Sequence, residues 1–199
     1  HCKGKAAKAA DLRQGPSVCE ECAGQGPTCC RVAPGGEEFC FPVTDLEWSR
    51  ILDYMGDQGG FVQQMNSESF VVGVKRLFPM DGREVEALFP LHRPHLRLAT
   101  TQEGACSFLR KDGCLLPSEV RPYYCRIFPL WIYGERLTMF DPAGCLATRR
   151  TRTVSDLMAL MHTSEATVRT LHGQLRLAWG LTPTAGHQPL HTSLLRGAR

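Results

Sequence analysis

The sequence predicts a small, mainly helical α+β domain with a short hairpin and irregular cysteine-rich loops. Three observations carry that expectation. Several segments repeat apolar residues at helical spacing behind recognisable caps. One stretch alternates about a Gly-X turn. Ten cysteines gather in segments broken by Gly and Pro that show no period. With 199 residues, 43% hydrophobic and 22% charged, the chain can bury a core without staples.

The elements follow in chain order. Residues 1–17, "HCKGKAAKAADLRQGPS", read as a mobile basic arm rich in small residues, and the chain begins at His1 rather than Met. Residues 18–150 form a cysteine-rich domain. Within it, 19–42 reads as an irregular loop shaped by ligands. "TDLE" at Thr44–Glu47 is a capping box that opens a helix. Leu46, Ile51, Leu52 and Met55 make its expected buried stripe, and Gly59-Gly60 its stop. "SESFVVGVKRLF" (67–78) and "GREVEALF" (82–89) predict helices ended by prolines. "LRLAT" predicts a short strand, and "LWIY-GE-RLTMF" a hairpin. Residues 151–181 hold a helical pair packed on the domain, "VSDLMALMH" and "SEATVRTLHGQLRLAWG". Residues 182–199 read as a flexible tail.

Composition excludes several classes. A net charge of +3 gives no footprint for nucleic acid, and "TRRTRT" at 148–153 reads as a solvated face. The last two helices read as a packed pair rather than a DNA-binding helix-turn-helix. No apolar run is long enough for a membrane span, and no signal peptide is visible. G-x-G-x-x-G, P-loop, H-E-x-x-H and nucleophile-elbow motifs are all missing, so no catalytic residue is assigned. His92 and His95 flank a polar "RP" and read as surface residues.

The cysteines need a different explanation. Cys19 and Cys22 make a C-x-x-C step, and Cys29 and Cys30 are adjacent. A C-x-x-C step turns two sulfurs toward one metal. Adjacent side chains diverge, so Cys29 and Cys30 can face different centres. A hairpin turning at Asp112-Gly113 would not set Cys114 opposite Cys106, so a ligand-wrapping loop is expected there. In "RPYYCRIFP", Pro122 starts a short helical turn and Pro129 ends it, holding Cys125 between Arg121 and Arg126. Two cations beside a thiolate suit an anionic four-thiolate centre, so both arginines are candidate cofactor-binding residues. Phe39, Phe41, Phe108, Tyr123, Tyr124, Phe128 and Trp131 would keep such a centre dry.

The pattern "C-x-x-C…C-C", then "CSFL…DGCLLPSEVRPYYCRIFP", then Cys145 after a hairpin resembles the YkgJ-type family. That family carries a CxxCxxCC motif and is described as zinc- or iron-chelating. The resemblance runs from Cys19 to Cys145. It implies eight metal ligands: Cys19, Cys22, Cys29, Cys30, Cys106, Cys114, Cys125 and Cys145. The gap between Cys22 and Cys29 is longer than the family's usual one. Cys40 is an extra cysteine, read as a buried apolar residue, and Cys2 is no ligand.

The implied cofactor is an iron–sulfur cluster, [4Fe–4S] first, with zinc in Cys₄ sites as the alternative. Its role would be structural, electron-carrying or metal-handling. An enzyme reading, redox or methyl transfer as in the flagellin lysine methylases, is the other class. The expected partner is a redox or metal-delivery protein, with no nucleic acid and no membrane. Thiols kept for metal place the protein in the cytoplasm.

Overall fold

The computed structural model describes residues 17–25, 28–56, 59–142 and 144–182. Nearly all of the predicted arm and of the predicted tail lies outside the described residues, as does Cys2.

The C-x-x-C step is helical, not looped. It lies on α1 (Val18–Gln25). The cause is a second capping box. Glu20 donates its N–H to Ser17 Oγ at 3.3 Å, and Ser17 donates its own to Glu20 Oε2 at 2.5 Å. After a 3₁₀ turn at Glu37–Phe39 comes α2 (Asp45–Met55), capped by Thr44 as predicted. Gly56, at φ +66°, ends it before Gly59-Gly60. Its buried stripe also differs from the expectation. Leu46 is 58% exposed, while Glu47 is 1% exposed and Ile51 is fully buried.

Next come β1 (Phe61–Met65), α3 (Glu68–Leu77), α4 (Gly82–Leu88) and β2 (Pro94–Leu98). β2 pairs antiparallel with β1, Phe61 opposite Leu98. β1 was not legible as a strand, since "FVQQM" shows no clean alternation and none of its residues is fully buried. β3 (Leu109–Arg110) and β4 (Gly113–Cys114) form a minimal hairpin with Cys114 opposite Leu109. The chain therefore turns at Lys111-Asp112, and a minimal hairpin stands where a ligand-wrapping loop was expected.

α5 (Tyr123–Ile127) follows Pro122. β5 (Leu130–Tyr133) and β6 (Arg136–Met139) are the predicted hairpin, with Tyr133 opposite Arg136 around Gly134-Glu135. α6 (Leu146–Arg150) occupies the start of the predicted solvated run. Its Leu146, Ala147 and Thr148 are buried, and Arg150 pairs with Glu21 of α1 at 2.7 Å. α7 (Val154–Leu160) and α8 (Glu165–Ala178) begin at Thr153 and Ser164. The result is a mixed domain of helices and three two-stranded sheets. Among the described residues no helix is long and apolar enough to cross a membrane.

Two hydrophobic clusters form the interior. The larger gathers Phe78, Ile127, Leu130, Trp131, Leu157 and Leu175, and takes in Cys22 and Cys145. α8 packs on α5 and β5 within it. The smaller holds Ile51, Phe108, Leu116 and Val120, with Cys106 and Cys114 packed against it. Thiols thus border both clusters. A bidentate ion pair joins the start of α4 to α8: Arg176 Nη1 and Nη2 meet Asp81 Oδ2 and Oδ1 at 2.6 and 2.8 Å.

His95 is buried, not on the surface as the sequence suggested. It stacks on Phe70 with ring centroids 4.1 Å apart. Its Nδ1 lies 2.7 Å from Asn66 Oδ1, because Asn66 Nδ2 donates to Pro90 O. Its Nε2 is buried without a partner. Burial, with the Arg97 cation, depresses its pKa to about 4. A base depressed in the fold takes up a proton on unfolding, so stability falls as pH drops from about 6.5 toward 4. Urea unfolding at pH 7 and pH 4.5 is expected to show about 2 kcal/mol more acid destabilisation in the wild type than in His95→Gln. Equal losses in the two proteins would remove His95 as the cause.

Candidate metal centre

The site is built outward from α2. Glu47 closes the capping box, its Oε2 accepting from Thr44 N and Thr44 Oγ1, both at 2.8 Å. Its Oε1 accepts from Tyr123 N at 2.6 Å. One buried carboxylate therefore satisfies the starts of both α2 and α5. One turn along, Arg50 donates to Val120 O and Arg121 O at 3.3 and 2.9 Å. Its guanidinium also lies 4.7 Å over the Tyr123 ring. Residues 120–123 are thereby clamped, and Arg121 and Cys125 leave from the clamped segment.

A short backbone ladder brings the amino-terminal cysteines to the same place. Arg31 bridges Ala105, Val32 N donates to Gly104 O, and Cys106 N donates to Cys30 O at 2.8 Å. Gly104 is essential here. It sits at φ +76°, and a Cβ on it would come 2.0 Å from Val32 O. α1 packs on β4, beside Cys114, and on α6, whose preceding residue is Cys145.

All eight predicted ligands join one electrostatic neighbourhood. The charge of Cys30 acts on Cys19, Cys29, Cys106, Cys114 and Cys125. Cys19 in turn feels Cys145 and Cys22. Within this set Cys30, Cys106, Cys114 and Cys125 form a closed quartet in which every pair interacts. The quartet contains one cysteine of the adjacent pair and three of the later region. As placed, however, no three Cys, His, Asp or Glu side chains among the described residues are set to hold one metal ion. All nine described cysteines are free thiols.

Crowding governs their protonation. Burial and the neighbouring thiols raise Cys19 to about 11 and Cys106 to about 12, a backbone N–H partly offsetting the rise at Cys106. Burial raises Cys125 well above the usual thiol value. Cys125 nonetheless keeps exposed surface, as do Cys19 and Cys29. In the adjacent pair, the Cys29 thiol donates to Cys30 and lowers it, with help from Thr28 and Arg121. Cys29 is raised by the same bond.

The two arginines part company. Arg121 acts on Cys19, Cys30 and Cys114, while its Nε is anchored on Leu116 O at 2.8 Å. Arg126 is surrounded by Arg50, Tyr123 and Glu119 instead, and burial lowers its pKa. Cys40 is half-buried, is raised by burial, and reaches the set only through Cys106. Six of the seven expected aromatics are buried or half-buried. Phe41 stacks on Tyr124 at 4.0 Å, and Tyr124 is raised by burial and by the nearby Cys125 and Cys29 charges. Phe39 is the exception, at 61% exposed.

Comparison of the chain with protein-family models, with curated proteins and with solved structures returned no match.

Sequence reasoning missed Glu47 as a site-building residue, although its capping box was read correctly. Glu47→Ala leaves buried N–H groups of Thr44 and Tyr123 without their acceptor and is expected to cost about 2–4 kcal/mol. Gly104→Ala is expected to separate Cys30 from Cys106. Thermal unfolding measures the first, and the metal content of the refolded protein measures the second.

Proposed function

We propose that the chain carries an all-cysteine iron–sulfur centre, [4Fe–4S] before other types. Its role is structural, electron-carrying or metal-handling. The observation that carries this reading is the closed quartet of Cys30, Cys106, Cys114 and Cys125, with Arg121 beside it. Four thiolates around a cluster leave net negative charge, and a fixed guanidinium within a dry aromatic wall offsets it. These four would hold the centre, and Cys19, Cys22, Cys29 and Cys145 would supply a second set joined through Cys19. When bound, a cluster would supply one-electron chemistry. The chain's own part is to anchor the sulfurs, exclude water through Phe41 and Tyr124, and place Arg121.

The donor chemistry fits the group, since all eight candidates are sulfur. Free thiols agree with a reducing compartment such as the cytoplasm, and a redox or metal-delivery protein is the partner we propose. The motif resemblance to the YkgJ-type family supports the same reading.

Anaerobic purification followed by iron, sulfide and zinc analysis tests the proposal. Iron and sulfide in equal amounts, with absorbance near ~400 nm, are expected. Colourless protein with stoichiometric zinc sinks the iron reading. Cys125→Ser and Cys114→Ser are expected to abolish metal retention, Cys19→Ser to reduce it, and Cys40→Ser to leave it nearly intact. Unchanged metal in Cys125→Ser would take that residue out of the centre.

A further inference from the structure

Beside the thiols lies an open groove of about 370 Å³. Its wall carries Arg31, Arg110 and Lys111, with the hydroxyls of Thr101 and Ser107, and Cys106 forms part of its floor. All three cations are solvent-exposed. No carboxylate lines the groove among the described residues.

The placement follows from the local fold. Successive side chains of an extended segment point to opposite sides. Where Cys30 joins the thiol neighbourhood, Arg31, paired with Ala105, lines the groove. Arg110 ends β3 and Lys111 stands in the turn that follows. Arg110 Nη1 is held by Ser107 O and Leu109 O at 2.8 and 2.9 Å, which fixes the fork of the guanidinium. A pinned fork binds an oxyanion with less ordering cost than a free side chain.

From this we infer that the groove binds a small multivalent anion, carboxylate or phosphate in chemistry, and holds it against the Cys106 edge of the thiol cluster. The volume suits a small molecule rather than a large cofactor. Three lining cations, with the Glu103 carboxylate at the rim beside Arg31, favour a ligand of two or more negative charges. Glu103 sets a limit on charge at the rim. It hydrogen-bonds Thr101 and feels Arg31, so it competes with an incoming anion.

Calorimetric titration of the full chain with citrate and, separately, with pyrophosphate at constant ionic strength tests this. Binding of one or both is expected, and the anion that binds tells carboxylate from phosphate chemistry. Lys111→Glu and Arg110→Gln are expected to weaken binding about tenfold or more. Glu103→Gln is expected to strengthen it. Arg83→Glu on α4 changes net charge as much as Lys111→Glu does and is expected to leave affinity within about twofold. Binding of neither anion overturns the inference. So does an equal loss in Arg83→Glu, which would show general charge attraction. Iron and sulfide analysis of the same samples keeps the two proposals apart, because the groove substitutions leave all eight sulfurs in place.

Discussion

The α5 side of the candidate centre hangs on one buried carboxylate. Glu47 takes three hydrogen bonds from two helix starts, and a carboxylate at 1% exposure is stable only when its lone pairs are so occupied. The bond to Tyr123 joins residues 76 positions apart. It fixes where α5 begins, and so where Cys125 stands relative to α2. Arg50 repeats the clamp one turn later through two carbonyls and a ring face. Helix α2 therefore acts as the frame on which the later cysteines are mounted.

Crowding thiols is the second constraint. Each of Cys19, Cys106 and Cys125 resists ionisation because burial removes water and its neighbours would add like charge. Arg121 works against both effects at Cys19, Cys30 and Cys114. A cation bound by these sulfurs would displace their protons, so affinity would rise with pH. The hydrophobic clusters on either side supply rigidity, Cys22 and Cys145 from one and Cys106 and Cys114 from the other.

Local signals in the sequence were reliable at the α2 cap and at the long hairpin, and failed at the C-x-x-C segment and at the end of α2. Thr44 caps the helix expected of it, Ser67 and Ser164 cap α3 and α8, and the Gly134-Glu135 turn sets the hairpin register. The C-x-x-C helix was hidden only because its Ser17–Glu20 box lies among glycines and cysteines that dominate the eye. His95 was misjudged for a different reason. A polar residue between prolines and arginines looks exposed until the β1–β2 pairing lays it on Phe70. Arg121 and Arg126 look equivalent in the sequence, yet Arg121 bears on Cys19, Cys30 and Cys114 while Arg126 stands among Arg50, Tyr123 and Glu119. Arg121 precedes the first turn of α5, whereas Arg126 lies in its last.

The sequence by itself determined the caps, the turns, the hairpin and the identity of the cysteines. Each of these depends on residues within a few positions of one another. Tertiary structure alone decided which sulfurs are neighbours. Cys30 meets Cys106 because a backbone ladder crosses a separation that no local pattern encodes, and because Gly104 leaves room for Val32 O. The burial of Glu47 was equally invisible. A capping-box glutamate normally faces water, and this one is covered because α5 offers it a second helix start to bind.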